Sequence, residues 1–268
     1  MEHIEKALAR AREMRAKIPG GGPADGDFAG SAKARDRGPS IDGVTPEYSE
    51  TAVMQGDMRR AAEQRLIADD FRNPHADVYR LLRAQVLQRM KKQNMTTIAV
   101  TGARKGDGAT TTAANLAISI ALDVNQTVLL VDLNLREPGL QHKFGLKPTS
   151  GIENFLRGQC ALKDCLVNPG LARLVVLPAF AGMNNAVDLI VSPRMTALVK
   201  ELRSRYADRV IIFDTPPLLE SGETLGFLPN VDGVLFVARS GQTTKPELDR
   251  AAELLHNYHV VGTMLNAC

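Results

Sequence analysis

Apolar strand-length runs that alternate with helix-length amphipathic stretches predict an α/β fold with a mostly parallel, doubly wound sheet. The clearest unit runs from Thr97 to Asp132. An apolar run through Ile98, Ala99 and Val100 reads as a buried strand, and a turn punctuated by Gly102, Gly106 and Gly108 follows. Thr110, Thr111 and Thr112 open a helix with Ala113, Leu116, Ala117 and Ile120 at helical spacing, and Val128 to Val131 form a second buried run ending on Asp132. Strand, glycine loop, helix, strand is the βαβ unit. A second observation is that Leu174–Leu177, Arg209–Phe213, Val231–Ala238 and Val260–Leu265 repeat the strand signal. The third is the helical patterns between them, Arg194–Tyr206 through Met195, Leu198, Val199 and Leu202, and Gly241–Tyr258 through Leu248, Ala251, Leu254 and Leu255.

Before this domain the pattern changes twice. Residues 1–17 carry Ile4, Leu8, Ala11 and Met14 at helical intervals among Ala, Glu, Lys and Arg, which predicts an N-terminal amphipathic helix. Such a helix serves either as a docking element for a partner or an anionic membrane surface, or as a packing helix. Residues 18–56 are rich in Gly, Pro and Asp and poor in large apolar residues, the composition of a flexible linker. Helix resumes near Asp57 and again from Pro74, so the α/β domain is expected over 57–268.

With 268 residues, 44% hydrophobic, there is material for one sizeable core. A formal charge of +3, no Trp and few aromatics argue against a nucleic-acid partner. No apolar run approaches the ~18 residues of a membrane span. The three cysteines lack metal-ligand spacing and read as reduced thiols of a cytoplasmic protein. Any membrane association is therefore expected through a partner, at the inner face.

The glycine loop carries the chemistry. A loop feeding a helix N-terminus presents unpaired N–H groups and a positive dipole end to phosphate. The segment nearly matches G-x-x-x-x-G-K-[ST], with Ala103 at the first glycine and Ala109 at the lysine. Gly106, Asp107, Gly108, Ala109, Thr110 and Thr111 keep the backbone cradle, but the cation that reaches the β/γ-phosphates is missing. A charge-assisted contact of this kind is worth about 1.5–3 kcal/mol.

GDGATTTAANLA resembles the GEGKSTTAANLA-type loop of the bacterial tyrosine kinases of capsule and exopolysaccharide synthesis, P-loop NTPases related to the MinD and ParA ATPases. The similarity runs from about Ala76 to the end. It implies ATP or ADP as ligand and Mg²⁺ as cofactor, with Thr110, Asp132 and Asp214 around the metal and the two aspartates as the catalytic carboxylates. Asp132 opens the family's D-x-D-x-R pattern, in which the second aspartate is replaced here by Asn134, and FDTPPLL places Asp214 at the strand end of the Walker B arrangement. Asn266 stands at the position that lies near adenine in relatives. Arg104 occupies the place of the extra signature lysine of MinD-like proteins, and either it or Lys105 is a candidate for the missing cation. Arg136, Pro138, His142 and Phe144 continue the R-x-P-x-x-H-x-x-F run, His142 as a structural residue. Asp77, Arg80 and Arg83 are similar to the E-x-x-R-x-x-R motif that pairs subunits into rings, which implies a homo-oligomer. Two residues follow Asn266, and Tyr48, Tyr79, Tyr206 and Tyr258 form no cluster of the kind the family phosphorylates.

Three readings follow. The resemblance implies an active tyrosine autokinase working with a membrane-embedded polysaccharide co-polymerase. The replacements at 109 and 134 favour instead a weakly or non-catalytic nucleotide-binding regulator of the same system. A MinD/ParA-type positioning ATPase is the third.

Overall fold

The computed structural model describes residues 52–53, 63–70, 73, 75–180, 182–183, 186–205 and 209–267. The chain divides into Met1–Ile41 and Asp42–Cys268. The first unit, with the helix expected over 1–17, lies outside the described residues, as do most of the expected linker, the helix expected near Asp57, Tyr48 and Tyr206.

An eight-stranded sheet forms the second unit, in the order β1-β4-β5-β3-β6-β2-β7-β8. Its strands are β1 (Ala52–Val53), β2 (Thr97–Gly102), β3 (Thr127–Asp132), β4 (Val167–Asn168), β5 (Leu174–Leu177), β6 (Arg209–Asp214), β7 (Gly233–Arg239) and β8 (Val260–Asn266). The helices among the described residues are α1 (Ala76–Lys92), α2 (Ala109–Ala121), α3 (Leu140–Lys143), α4 (Ile152–Leu156), α5 (Ala186–Ile190), α6 (Pro193–Arg205), α7 (Gly222–Phe227) and α8 (Lys245–Leu255), with two short 3₁₀ turns. Every pairing is parallel except β4 with β5. The doubly wound expectation holds, with that one antiparallel pair added. The sequence reading placed residues 52 and 53 in a linker; they pair instead with Val167 and Asn168 at the sheet edge.

Alternation along the strands sorts the core into two layers. Ile98, Val100, Val128, Leu130, Val176 and Ile212 pack with Val86 and Met90 of α1, Leu116 and Ile120 of α2, and Leu140 and Phe144 around α3. Leu129, Val131, Val175, Leu177, Ile211 and Phe213 pack on the other face with α4, α5 and α6, and Ala99, Val234 and Phe236 meet Ala251 and Leu255 of α8. Central strands buried on both faces explain why β2, β3 and β6 read as continuous apolar runs.

Helix α8 is shorter than the Gly241–Tyr258 pattern. Thr244 stops it at the front by a capping box, its N–H donating to Glu247 Oε2 at 2.7 Å, and Tyr258 lies past its end. Cys160 and Cys165 are free, their sulfurs 3.2 Å apart, and burial pushes the Cys165 thiol up to about 12. No helix among the described residues is long and apolar enough to cross a membrane.

Candidate functional site

Strand β2 lies inside the sheet, and the chain leaves its carboxyl end to form α2 and then β3 on one side, returning later to β7 on the other. Such a reversal of winding opens a crevice beyond the strand ends. The loop from Gly102 to Gly108 fills it. Gly106 and Gly108 have φ of +95° and +94°, where side-chain-bearing residues are strained. Asp107 shapes the loop: its Oδ2 accepts the Arg104 N–H at 2.9 Å and its Oδ1 the Thr243 hydroxyl at 3.3 Å. Gly108 is the N-cap of α2 and has no side chain to occupy the first-turn N–H groups. These groups face a cavity of about 490 Å³ lined by Ala109, Thr110, Thr111, Asn134, Pro216 and Asn266, among others. That volume lies in the range of small-molecule sites.

Asn266 does something the family resemblance did not suggest. Its Nδ2 donates to the Asp107 carbonyl at 2.9 Å, tying β8 to the loop. A Cβ on Gly108 would stand 2.1 Å from that same nitrogen. Gly108→Ala is therefore expected to break the Asn266 bond as well as strain the turn, at a cost of about 1–3 kcal/mol. The check is thermal denaturation of Gly108→Ala beside Asn266→Ala and the double variant. Additive losses would mean that the two residues are not coupled.

Asp132 and Asp214 are register partners on β3 and β6, both fully buried, yet their surroundings differ. Asp132 accepts the N–H groups of Asn134, Gly139 and Leu140, each at 3.0 Å, and so holds the segment that carries α3. Burial pushes its carboxyl up to about 7, against the pull of those three bonds, with the Glu153 charge adding to the rise. Neither oxygen of Asp214 has a hydrogen bond of normal geometry. Its carboxyl is raised well above the usual range by burial first and by Asp132 second; the nearby Thr110 hydroxyl and Lys143 pull the other way. A buried carboxylate lacking hydrogen bonds, beside a hydroxyl at a helix N-terminus, is a donor set that suits Mg²⁺ on a phosphate chain. The residues present fit the group.

The loop cations turn elsewhere. Arg104 reaches Glu247 through Nε and approaches Glu220 at 4.0 Å, and Lys105 Nζ lies 2.5 Å from Glu137. Both point to carboxylates rather than to the place a lysine at 109 would fill. Asn134 lines the cavity, its Oδ1 accepting the Glu137 N–H at 3.2 Å. Asp77 and Arg80 pair with each other on α1, while Arg83 Nη1 donates to the Ser119 carbonyl at 2.7 Å, an engagement within the chain. His142 is exposed, and no cluster of metal-binding side chains occurs among the described residues. Sequence reasoning passed over Arg65, Lys143 and Arg239, which line the cavity. Lys143 carried a local signal, standing one turn after Gly139 in the run that follows Asp132.

The glycine loop between a buried parallel strand and a helix, with a strand-end aspartate beside it, defines a P-loop domain. Residues 95–244 match the family described as an AAA domain. Tyrosine-protein kinase YwqD of Bacillus subtilis strain 168 is 32% identical over 182 residues, which cover 68% of this chain and 75% of that protein. The chain belongs to this family of bacterial tyrosine kinases and their P-loop relatives. Succinoglycan biosynthesis transport protein ExoP of Rhizobium meliloti strain 1021 is 29% identical over 210 residues, 75% of this chain but only 26% of ExoP. Among solved structures, the kinase domain of the Escherichia coli tyrosine kinase ETK superposes with a TM-score of 0.70 at 25% identity, over 75% of this chain and 79% of that one. MinD of Pyrococcus horikoshii OT3 in complex with Mg-ADP shares the fold, with a TM-score of 0.55 at 19% identity over 63% of this chain and 69% of that one.

Proposed function

We propose that this chain is a nucleotide-binding regulator of exopolysaccharide or capsule synthesis whose phosphoryl-transfer apparatus is incomplete. The observation that carries the reading is Ala109: the backbone cradle is built, and the residue that should bring a cation to the β/γ-phosphates is a methyl group. Arg104 and Lys105, the nearest substitutes along the chain, are drawn to Glu247 and Glu137. Phosphoryl transfer depends on positioning and on neutralising charge as it develops, so loss of that cation strikes turnover harder than binding.

The roles of the remaining residues follow from their places. The first-turn N–H groups of α2 would hold phosphate oxygens, and the Thr110 hydroxyl with Asp214 would hold Mg²⁺. Mg²⁺ supplies charge neutralisation across the phosphates when bound. Asp132 keeps the 133–140 segment in place, and Asn134 offers a carbonyl where a second carboxylate would add charge. The partner on this reading is a membrane-embedded polysaccharide co-polymerase, engaged according to nucleotide state. A specific observation favours the active-kinase alternative: Thr110 and Asp214 are both present, and the Asp214 carboxylate lies buried by the Thr110 hydroxyl with no other hydrogen-bond partner.

Two measurements on the purified chain separate these readings. Calorimetry with ATP, with and without Mg²⁺, is expected to show Mg²⁺-dependent binding, and phosphopeptide mapping after incubation with Mg-ATP is expected to find no stoichiometric phosphotyrosine. Stoichiometric tyrosine phosphate would return the chain to the active kinases. Absence of any ATP or ADP binding would remove the nucleotide from its function.

A further inference from the structure

Six cationic side chains border the cavity, those of Arg65, Arg104, Lys105, Arg136, Lys143 and Arg239. Four are engaged. Arg104 pairs with Glu247, Lys105 with Glu137 and Arg136 with Glu223, and Arg239 Nη1 donates to the Gly106 carbonyl at 3.2 Å. Lys143 and Arg65 have no carboxylate at ion-pair distance among the described residues.

We propose that Lys143, with Arg65 beside it, grips the phosphate chain of a bound nucleoside di- or triphosphate and stands in for the cation absent at position 109. This rests on the nucleotide-binding reading above and names the residues that make it work.

The fold delivers both side chains to the loop. Helix α3 abuts α2 so closely that a Cβ on Gly139 would stand 3.0 Å from Thr110 Cγ2. The Lys143 N–H bonds the Gly139 carbonyl at 3.0 Å, so Lys143 sits one turn further along. Its Nζ donates to the Gln64 carbonyl at 3.0 Å, which brings it against the segment that carries Arg65. That segment is fastened to α2 by Asn115. The Asn115 amide donates to the Arg65 carbonyl at 2.8 Å, and its Oδ1 accepts from Ile67 and Ala68 at 2.8 and 3.1 Å. Arg65 is held at φ +64°, a conformation that costs a side-chain-bearing residue energy and persists only where its surroundings impose it.

Two like charges are thus brought together at the mouth of a phosphate cradle, one of them half-buried. Burial and the Arg65 charge both act against protonation of Lys143, and Asp214 offsets them only in part. A polyphosphate lying along the first turn of α2 would neutralise both cations at once. It explains an arrangement that is unfavourable without an anion.

The test is calorimetric titration of the full chain with Mg-ATP and with AMP. Lys143→Met, which keeps the apolar stem, is expected to weaken ATP binding by about tenfold or more while affecting AMP less, and Lys143→Arg is expected to retain most of the affinity. Arg65→Ala is expected to weaken ATP binding in the same sense and by less. If Lys143→Met melts like the wild type and binds ATP equally well, Lys143 is only a counter-ion to Asp214 and the proposal is overturned. Should Lys143→Met not fold, Arg65→Ala on its exposed side chain decides, unchanged ATP affinity overturning the proposal. A wild-type chain that binds neither ATP nor ADP overturns the nucleotide reading itself, an outcome distinct from wild-type binding that Lys143→Met leaves intact.

Discussion

Asp214→Asn is expected to raise the melting temperature of the nucleotide-free chain at about pH 8 by about 5 °C or more, since 1 kcal/mol moves a domain of this size by about 2–4 °C. The same variant should lose the Mg²⁺-dependence of ATP binding. Asp214 and Asp132 are buried side by side, and burial raises the carboxyl of each above the ordinary aspartate range, that of Asp132 to about 7. A carboxyl whose pKa is raised on folding binds its proton more tightly in the native state. Its contribution is therefore fully present below the unfolded value and is lost as pH climbs towards the folded one. For Asp132 that window runs from about pH 4 to about pH 7. Asp214 extends the loss to higher pH, because burial and Asp132 both raise it. Replacing Asp214 with Asn removes the group whose ionisation burial and Asp132 both oppose, and with it the pH-dependent cost. Melting curves of both proteins from about pH 4 to pH 8 should coincide at the acid end and diverge upwards. A gap that does not widen with pH would show that Asp214 is ionised and satisfied without a metal.

This contrast between two aspartates marks where sequence reading reached its limit. Both end a buried strand and both fit the family's metal positions, so they look equivalent along the chain. Only the folded segment 133–140, which wraps its N–H groups onto Asp132, makes one a loop organiser and leaves the other buried without such bonds. The sheet itself was legible because β2, β3 and β6 are buried on both faces and announce themselves as apolar runs. The loop was legible because Gly106 and Gly108 adopt backbone conformations that restrict residue choice. By contrast, β1 and β4 are two residues each and have no periodicity to detect. The fate of the loop cations was equally hidden, since Arg104 meets Glu247 across 143 residues of chain. The run around His142 drew attention to the histidine, a residue type associated with chemistry, while the neighbouring Lys143 is the one that borders the cavity.

Ala109→Lys should tighten Mg-ATP binding by about tenfold to a hundredfold in a Lys143→Met background, the worth of one charge-assisted phosphate contact. In the wild-type background the gain should be distinctly smaller. A lysine at 109 would enter from the first turn of α2 and meet phosphate charge already shared with Lys143 and Arg65. Two cations acting on one polyphosphate are not independent, and the shortfall between backgrounds measures their coupling. Turnover should follow a different rule. A lysine in the loop itself can follow charge that develops on the transferred group, and a clamp reaching in from α3 serves the resting phosphates. Ala109→Lys is thus expected to restore some ATP hydrolysis even where the gain in binding is small, and adding Asn134→Asp should raise it beyond the product of the single effects. Equal gains in affinity in both backgrounds would show that Lys143 and position 109 act on different parts of the ligand. Full hydrolysis by the unaltered chain, with no improvement from either substitution, would mean that the loop was never deficient and that the active-kinase alternative is correct.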